Sequence, residues 1–125
     1  MTPKKHASLQ RIPKAGCYAL QGLRALYVRE AAFRQEVWLM ALSTPWVWVL
    51  HVPRWLACAV TATAFLVLIA EALNSALEAL VDYLAPDHHV EAGYVKDAGS
   101  AAVLLTLVIW AGSWCMAGWL STQGI

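Results

Sequence analysis

Hydrophobic side chains fill three stretches of the chain in which charge is absent or nearly so: Val37 to Val52, Trp55 to Ala70 and Ala98 to Ile125. The third, "AGSAAVLLTLVIWAGSWCMAGWL", is long enough to cross a ~30 Å hydrocarbon core at about 1.5 Å per residue. The first two are short alone. They become adequate if one begins upstream near Glu30 and the other runs on past Glu71, so the pattern predicts membrane spans over about 30–51, 55–84 and 97–120. Before them, Leu9, Ile12, Gly16, Ala19, Leu20, Leu23 and Tyr27 recur at helical spacing among basic residues. That pattern predicts an amphipathic helix over about 7–28, lying on an anionic membrane surface. Pro13 breaks or starts such a helix, which makes residues 1–12 a separate, looser piece.

Composition agrees with a membrane solvent. Of 125 residues, 60% are hydrophobic and 14% charged, a balance that argues against a soluble helical bundle. The seven Trp residues lie mostly near the ends of the apolar runs, as an interfacial aromatic belt requires. Seven Lys and Arg side chains precede the first apolar run and Lys96 lies between the second and third, whereas the short "HVPR" connection carries Arg54 alone. The N-terminus and the 83–97 loop are therefore expected on the cytoplasmic side. No cleavable signal peptide is apparent, because the first thirty residues lack an unbroken apolar core. Net charge is +1, and no nucleic-acid partner is expected. Cys17, Cys58 and Cys115 are odd in number and widely spaced, without a metal or redox motif.

One segment resists a purely anchoring role. In "EALNSALEALVD", residues 71–82, positions 71, 75, 78 and 82 fall within about 60° on a 3.6-residue helix, with Asn74 at the edge of the stripe. Glu71 lies about 22 Å along that helix from Leu56 and Glu78 about 10 Å beyond it. One carboxylate thus sits near the inner hydrocarbon boundary and the other in the headgroup or aqueous layer. An acid at the apolar side suits a general base toward a hydroxyl arriving from the lipid, and an acid on the wet side suits a divalent cation carrying a nucleotide's phosphates. Polar residues on one helix face also bind helices together in membranes, and spacing alone leaves both readings open. Glu30 and Arg34 form an i, i+4 pair that can equally be a surface salt bridge. Lys96 and Asp97 can be a stop signal, and His88 and His89 solvated loop residues.

The blocks "EAAFRQE" (30–36), "EALNSALEALVD" (71–82) and "KDAGSAAVLL" (96–105) closely resemble the three signature blocks of the prokaryotic integral-membrane diacylglycerol kinase family. The resemblance runs from about Arg11 to about Trp119. Neither a Walker-type loop nor a protein-kinase Gly-rich loop occurs, as in that family. The resemblance implies an all-α inner-membrane homotrimer, each subunit an amphipathic surface helix plus three transmembrane helices, with active sites shared between neighbours. It implies transfer of the γ-phosphate of ATP, with Mg²⁺, to the hydroxyl of diacylglycerol.

Carried over residue by residue, Glu71 matches the catalytic base, and Glu30 and Glu78 the carboxylates that hold Mg²⁺. Arg11, Tyr18, Asp87, His89, Lys96 and Asp97 match the nucleotide side. Ala32, Phe33, Arg34, Gln35 and Glu36, with Arg11, Asn74 and Ser100, match the lipid side. This chain departs from familiar members at Cys17, Arg29, Tyr83, His88 and Val90, and His88 stands where an aromatic lies beside the nucleotide. A branch of the wider family phosphorylates undecaprenol instead, and "FRQE" and "KDAGSAAV" resemble the diacylglycerol branch. A non-catalytic helix-packing protein is the alternative from a different class.

Overall fold

The structure, a computed structural model, describes residues 11–87 and 89–124. The expectations for residues 1–10 and for His88 lie outside these. Within them the chain forms four helices, α1 (Arg11–Arg29), α2 (Ala31–Val49), α3 (Arg54–Leu84) and α4 (Val90–Thr122). Pro13 sits in the first turn of α1, where its missing N–H has no intrahelical acceptor to lose. Glu30, extended at φ −105° and ψ 108°, forms the elbow between α1 and α2. Ala85 precedes Pro86 and is kept out of the helical region at φ −135° and ψ 75°, which ends α3. His89 is extended ahead of α4, and Glu91 places negative charge in that helix's first turn, where the dipole favours it.

α3 is the centre of the fold. It packs along α4 on one side and α2 on another, while α1 rests against α2. Its buried face repeats every three to four residues through Ala57, Val60, Ala64 and Val67 and then continues through Glu71, Asn74 and Ser75. The polar stripe is therefore the extension of the apolar packing face toward the C-terminal end of α3. Two clusters fill the interior: Val47, Leu56, Ala57, Val60 and Ala117, and then Met40, Ala64 and Val67. Ala57, Ala64 and Ala117 among them let the helix backbones approach closely, so van der Waals packing can hold the helices together.

α3 and α4 are each long and apolar enough to cross a membrane. Large apolar side chains such as Phe65, Ile69, Leu105 and Val108 point outward, a distribution suited to lipid contact. α2 does not pass the same test. Its 19 residues include Arg34, Glu36, Ser43, Thr44 and an internal Pro45, which lower its hydropathy.

Candidate functional site

Four carboxylates converge where the elbow between α1 and α2 meets the second half of α3. Glu71 is 8% exposed and lies within electrostatic range of Glu30, Glu36 and Glu78. Glu30 arrives there because the chain turns at that residue, and Glu36 because it follows one and a half helical turns later. Glu36 is half-buried, and its Oε2 has no hydrogen-bond partner among the described residues. Phe33 is buried one turn before it, while Ala32 and Gln35 are exposed. A groove of about 290 Å³ between α1 and α3 leads to Glu30 and Ser75.

Asn74 sits at a close approach of α3 to α4. A Cβ built on Gly99 would overlap Asn74 Oδ1, so the glycine admits the amide. Asn74 Nδ2 donates to Glu78 Oε1 at 3.4 Å, and Asn74 Oδ1 is buried without a partner. Asn74 thus serves both readings of the stripe, fitting one helix to the next and touching a site carboxylate. Ser100, which follows Gly99 in α4, is exposed.

A second group of side chains gathers at the α3–α4 connection. Asp82, Asp87, His89, Lys96 and Asp97 line one cavity of about 300 Å³. Lys96 Nζ donates to Asp82 Oδ1 at 2.5 Å. This hydrogen bond raises the Lys96 ammonium above its ordinary value. Burial opposes the rise, and the charges of Asp82 and Glu78 add to it. Sequence reasoning gave Asp82 no individual role and passed over Gly99. The available signal for Asp82 was its place on the stripe with Glu71, Ser75 and Glu78.

The remaining expected site residues lie elsewhere in the chain. Arg11 and Tyr18 are exposed on the first half of α1, and Tyr18 shares a groove with Pro13, Lys14 and Cys17 of the same helix. Arg34 Nη1 donates to the carbonyls of Tyr27 and Val28 at 2.8 and 3.2 Å, and Trp38 Nε1 donates to the Tyr27 hydroxyl at 2.9 Å. Arg34 is therefore bound to the C-terminal end of α1, where the helix dipole favours a cation.

Among the described residues, no three His, Cys, Asp or Glu side chains are arranged to hold a metal ion. Mg²⁺ needs only one or two protein carboxylates when phosphates and waters complete its octahedron. Glu30 and Glu78, both near Glu71, fit that requirement.

The family profile described as prokaryotic diacylglycerol kinase matches residues 17–117. The chain belongs to the prokaryotic diacylglycerol kinase family. It is 42% identical over 112 residues to a protein named diacylglycerol kinase from Escherichia coli strain K12, covering 87% of this chain and 89% of that one. A protein of the same name from Pseudomonas aeruginosa is 39% identical over 111 residues, covering 89% and 90%. One from Helicobacter pylori is 31% identical over 118 residues, covering 90% and 88%. The matched span contains Glu30, Glu71, Glu78, Lys96 and Asp97 and all four helices in whole or part.

Proposed function

We propose that the chain is a lipid kinase that transfers the γ-phosphoryl group of ATP to the free hydroxyl of diacylglycerol, giving phosphatidic acid and ADP. The observation that carries this reading is Glu71. It is a buried carboxylate on a membrane-length helix, ringed by Glu30, Glu36 and Glu78 at the end nearest the polar loop. A helix-packing protein has no use for four mutually repelling carboxylates at one point, whereas a kinase acting between two phases needs both a base and a phosphate-side acid set.

In this reading Glu71 takes the proton of the lipid hydroxyl as its oxygen bonds to the γ-phosphorus and the bond to the β-phosphate oxygen breaks. Glu30 and Glu78 would hold Mg²⁺, which when bound would supply positive charge against the phosphates. Lys96, oriented by Asp82, stands against negative charge spreading over the transferring group. Asp87, His89 and Asp97 border the nucleotide from the same cavity. Three aspartates around one lysine would repel a bare triphosphate, which favours the magnesium complex as the form admitted.

Arg11 and Tyr18 complete the nucleotide side from a neighbouring subunit in a homotrimer with shared sites. Their exposure on α1 supports this. α2 is the third span of each subunit, joined to the surface helix α1 at Glu30. Ala32 to Glu36, Asn74 and Ser100 face the lipid headgroup, and Arg34 acts there by fixing the elbow. The protein resides in the bacterial inner membrane with its N-terminus cytoplasmic.

The test is phosphate transfer from labelled ATP to diacylglycerol in mixed micelles by the wild type and by Glu71→Gln. Transfer by the wild type, with turnover lost and ATP binding retained in the variant, supports the reading. Equal turnover in both removes Glu71 from the chemistry.

A further inference from the structure

A groove of about 540 Å³ runs between α2 and α3 on the membrane side of the carboxylate cluster. Its walls are Val37, Met40 and Ala41 from α2 and Ala64, Phe65 and Leu68 from α3. Its near end lies close to the carboxylate cluster, since Val37 follows Glu36 directly and Leu68 lies one turn before Glu71. At its far end Trp48 crosses to α3, and its Nε1 donates to Thr61 Oγ1 at 3.1 Å, while Thr61 Oγ1 donates to the Ala57 carbonyl at 2.8 Å. An indole N–H without a partner is costly in hydrocarbon, so this bond fixes the ring across the groove.

We propose that this groove seats one acyl chain of the diacylglycerol, and that Trp48, fastened to Thr61, is the stop that sets how long a chain it accepts. The proposal rests on the kinase reading given above. Its occupant follows from the groove's position and depth. From Glu71 to Thr61 is about 15 Å along α3, half of a ~30 Å hydrocarbon core and so the depth of one leaflet. A lipid whose hydroxyl meets Glu71 must place its tail somewhere along that distance, and the groove is the apolar path that begins there. Moving a tail from lipid into the groove brings no hydrophobic gain. Selection therefore works by fit: a tail that ends before Trp48 lies in the groove, and a longer one must bend out past the ring.

The experiment measures kcat/KM for diacylglycerols of increasing chain length, from dihexanoyl to dioleoyl, in mixed micelles for the wild type, Trp48→Ala, Trp48→Phe and Ala41→Phe. Trp48→Ala removes the stop and should raise the ratio of long-chain to short-chain kcat/KM by about tenfold, the lower end of what one misfitted methylene costs in a closed pocket. Trp48→Phe keeps a ring but loses the bond to Thr61 and should give a smaller rise. Ala41→Phe narrows the groove part-way and should shift the ratio in the opposite direction.

A chain-length profile that coincides with the wild type in both Trp48→Ala and Ala41→Phe overturns the proposal. So does an Ala41→Phe variant that loses activity equally on every chain length while its assembly weakens by light scattering, because the groove would then house a helix of a second copy. Transfer by the wild type to none of the diacylglycerols, dihexanoyl included, defeats the kinase reading itself and the proposal with it.

Discussion

Lys96 Nζ donates to Asp82 Oδ1 at 2.5 Å and so ties the second turn of α4 to the last turn of α3 across the intervening loop. The hydrogen bond to Asp82 is the first cause of the raised Lys96 value, so the ammonium keeps its charge to higher pH than an ordinary lysine. The pair's stabilising effect is whole below the ordinary lysine value near 10.4 and is lost as pH rises through the raised one. Because the pair is exposed, that effect on stability is small, and catalysis is the sensitive readout. Asp82→Asn should move the alkaline limb of the rate profile to lower pH. A limb that stays in place would show that Lys96 does not govern it.

Lys96→Met should reduce kcat by about a hundredfold or more, the scale of losing one donor aimed at developing charge. The binding of magnesium-ATP should change less. A variant with weakened binding and normal kcat would make the lysine an anchor for the nucleotide only.

Glu71 and Glu78 are predicted to fail differently. Glu71→Gln deletes the proposed base and should cost about 10²–10⁴-fold in kcat with the KM for magnesium-ATP nearly unchanged. Glu78→Gln should instead raise that KM, and the increase should shrink as magnesium is increased. Steady-state kinetics at several magnesium concentrations distinguishes them, and matching changes in both parameters for both variants would contradict the division of labour.

Much of this was legible in the chain, for identifiable reasons. The ends of α3 coincide with Pro53 before Arg54 and with the Ala85-Pro86 break after Leu84, and the uncharged run from Trp55 to Ala70 with the periodic stripe beyond it made one continuous helix readable. The stripe from Glu71 to Asp82 was readable because helical periodicity is a local property. Which way the stripe faced was not, since that depends on what packs against it. The structure shows it continuing the buried face that begins at Ala57. The Asp82 to Lys96 pair joins residues fourteen positions apart and requires the α3–α4 geometry. Arg34 beside Glu30 suggested an i, i+4 salt bridge, and the structure sends its guanidinium to the carbonyls of Tyr27 and Val28. A carbonyl acceptor on the preceding helix leaves no mark on side-chain spacing.

The same contact carries its own prediction. Arg34→Met should loosen the end of α1 by about 0.3–1 kcal/mol, the worth of a cation at a helix C-terminus. Amide hydrogen exchange over residues 24–29 in micelles should quicken accordingly. Unchanged exchange with a raised KM for lipid would place Arg34 on the substrate instead.

Gly99 tests the packing of α3 on α4. Gly99→Ala forces a methyl against the Asn74 amide and should cost about 1–3 kcal/mol of stability, as overpacking does. Combining it with Asn74→Ala should recover part of that loss, because the two side chains compete for one space. Additive losses in unfolding measured in mixed micelles would deny the close approach.

The most direct measurement offers diacylglycerol and undecaprenol side by side to the purified protein in mixed micelles with labelled ATP and magnesium. Faster transfer to diacylglycerol, abolished by Glu71→Gln, is the predicted result. Preference for undecaprenol, or transfer to neither by folded protein, would contradict it.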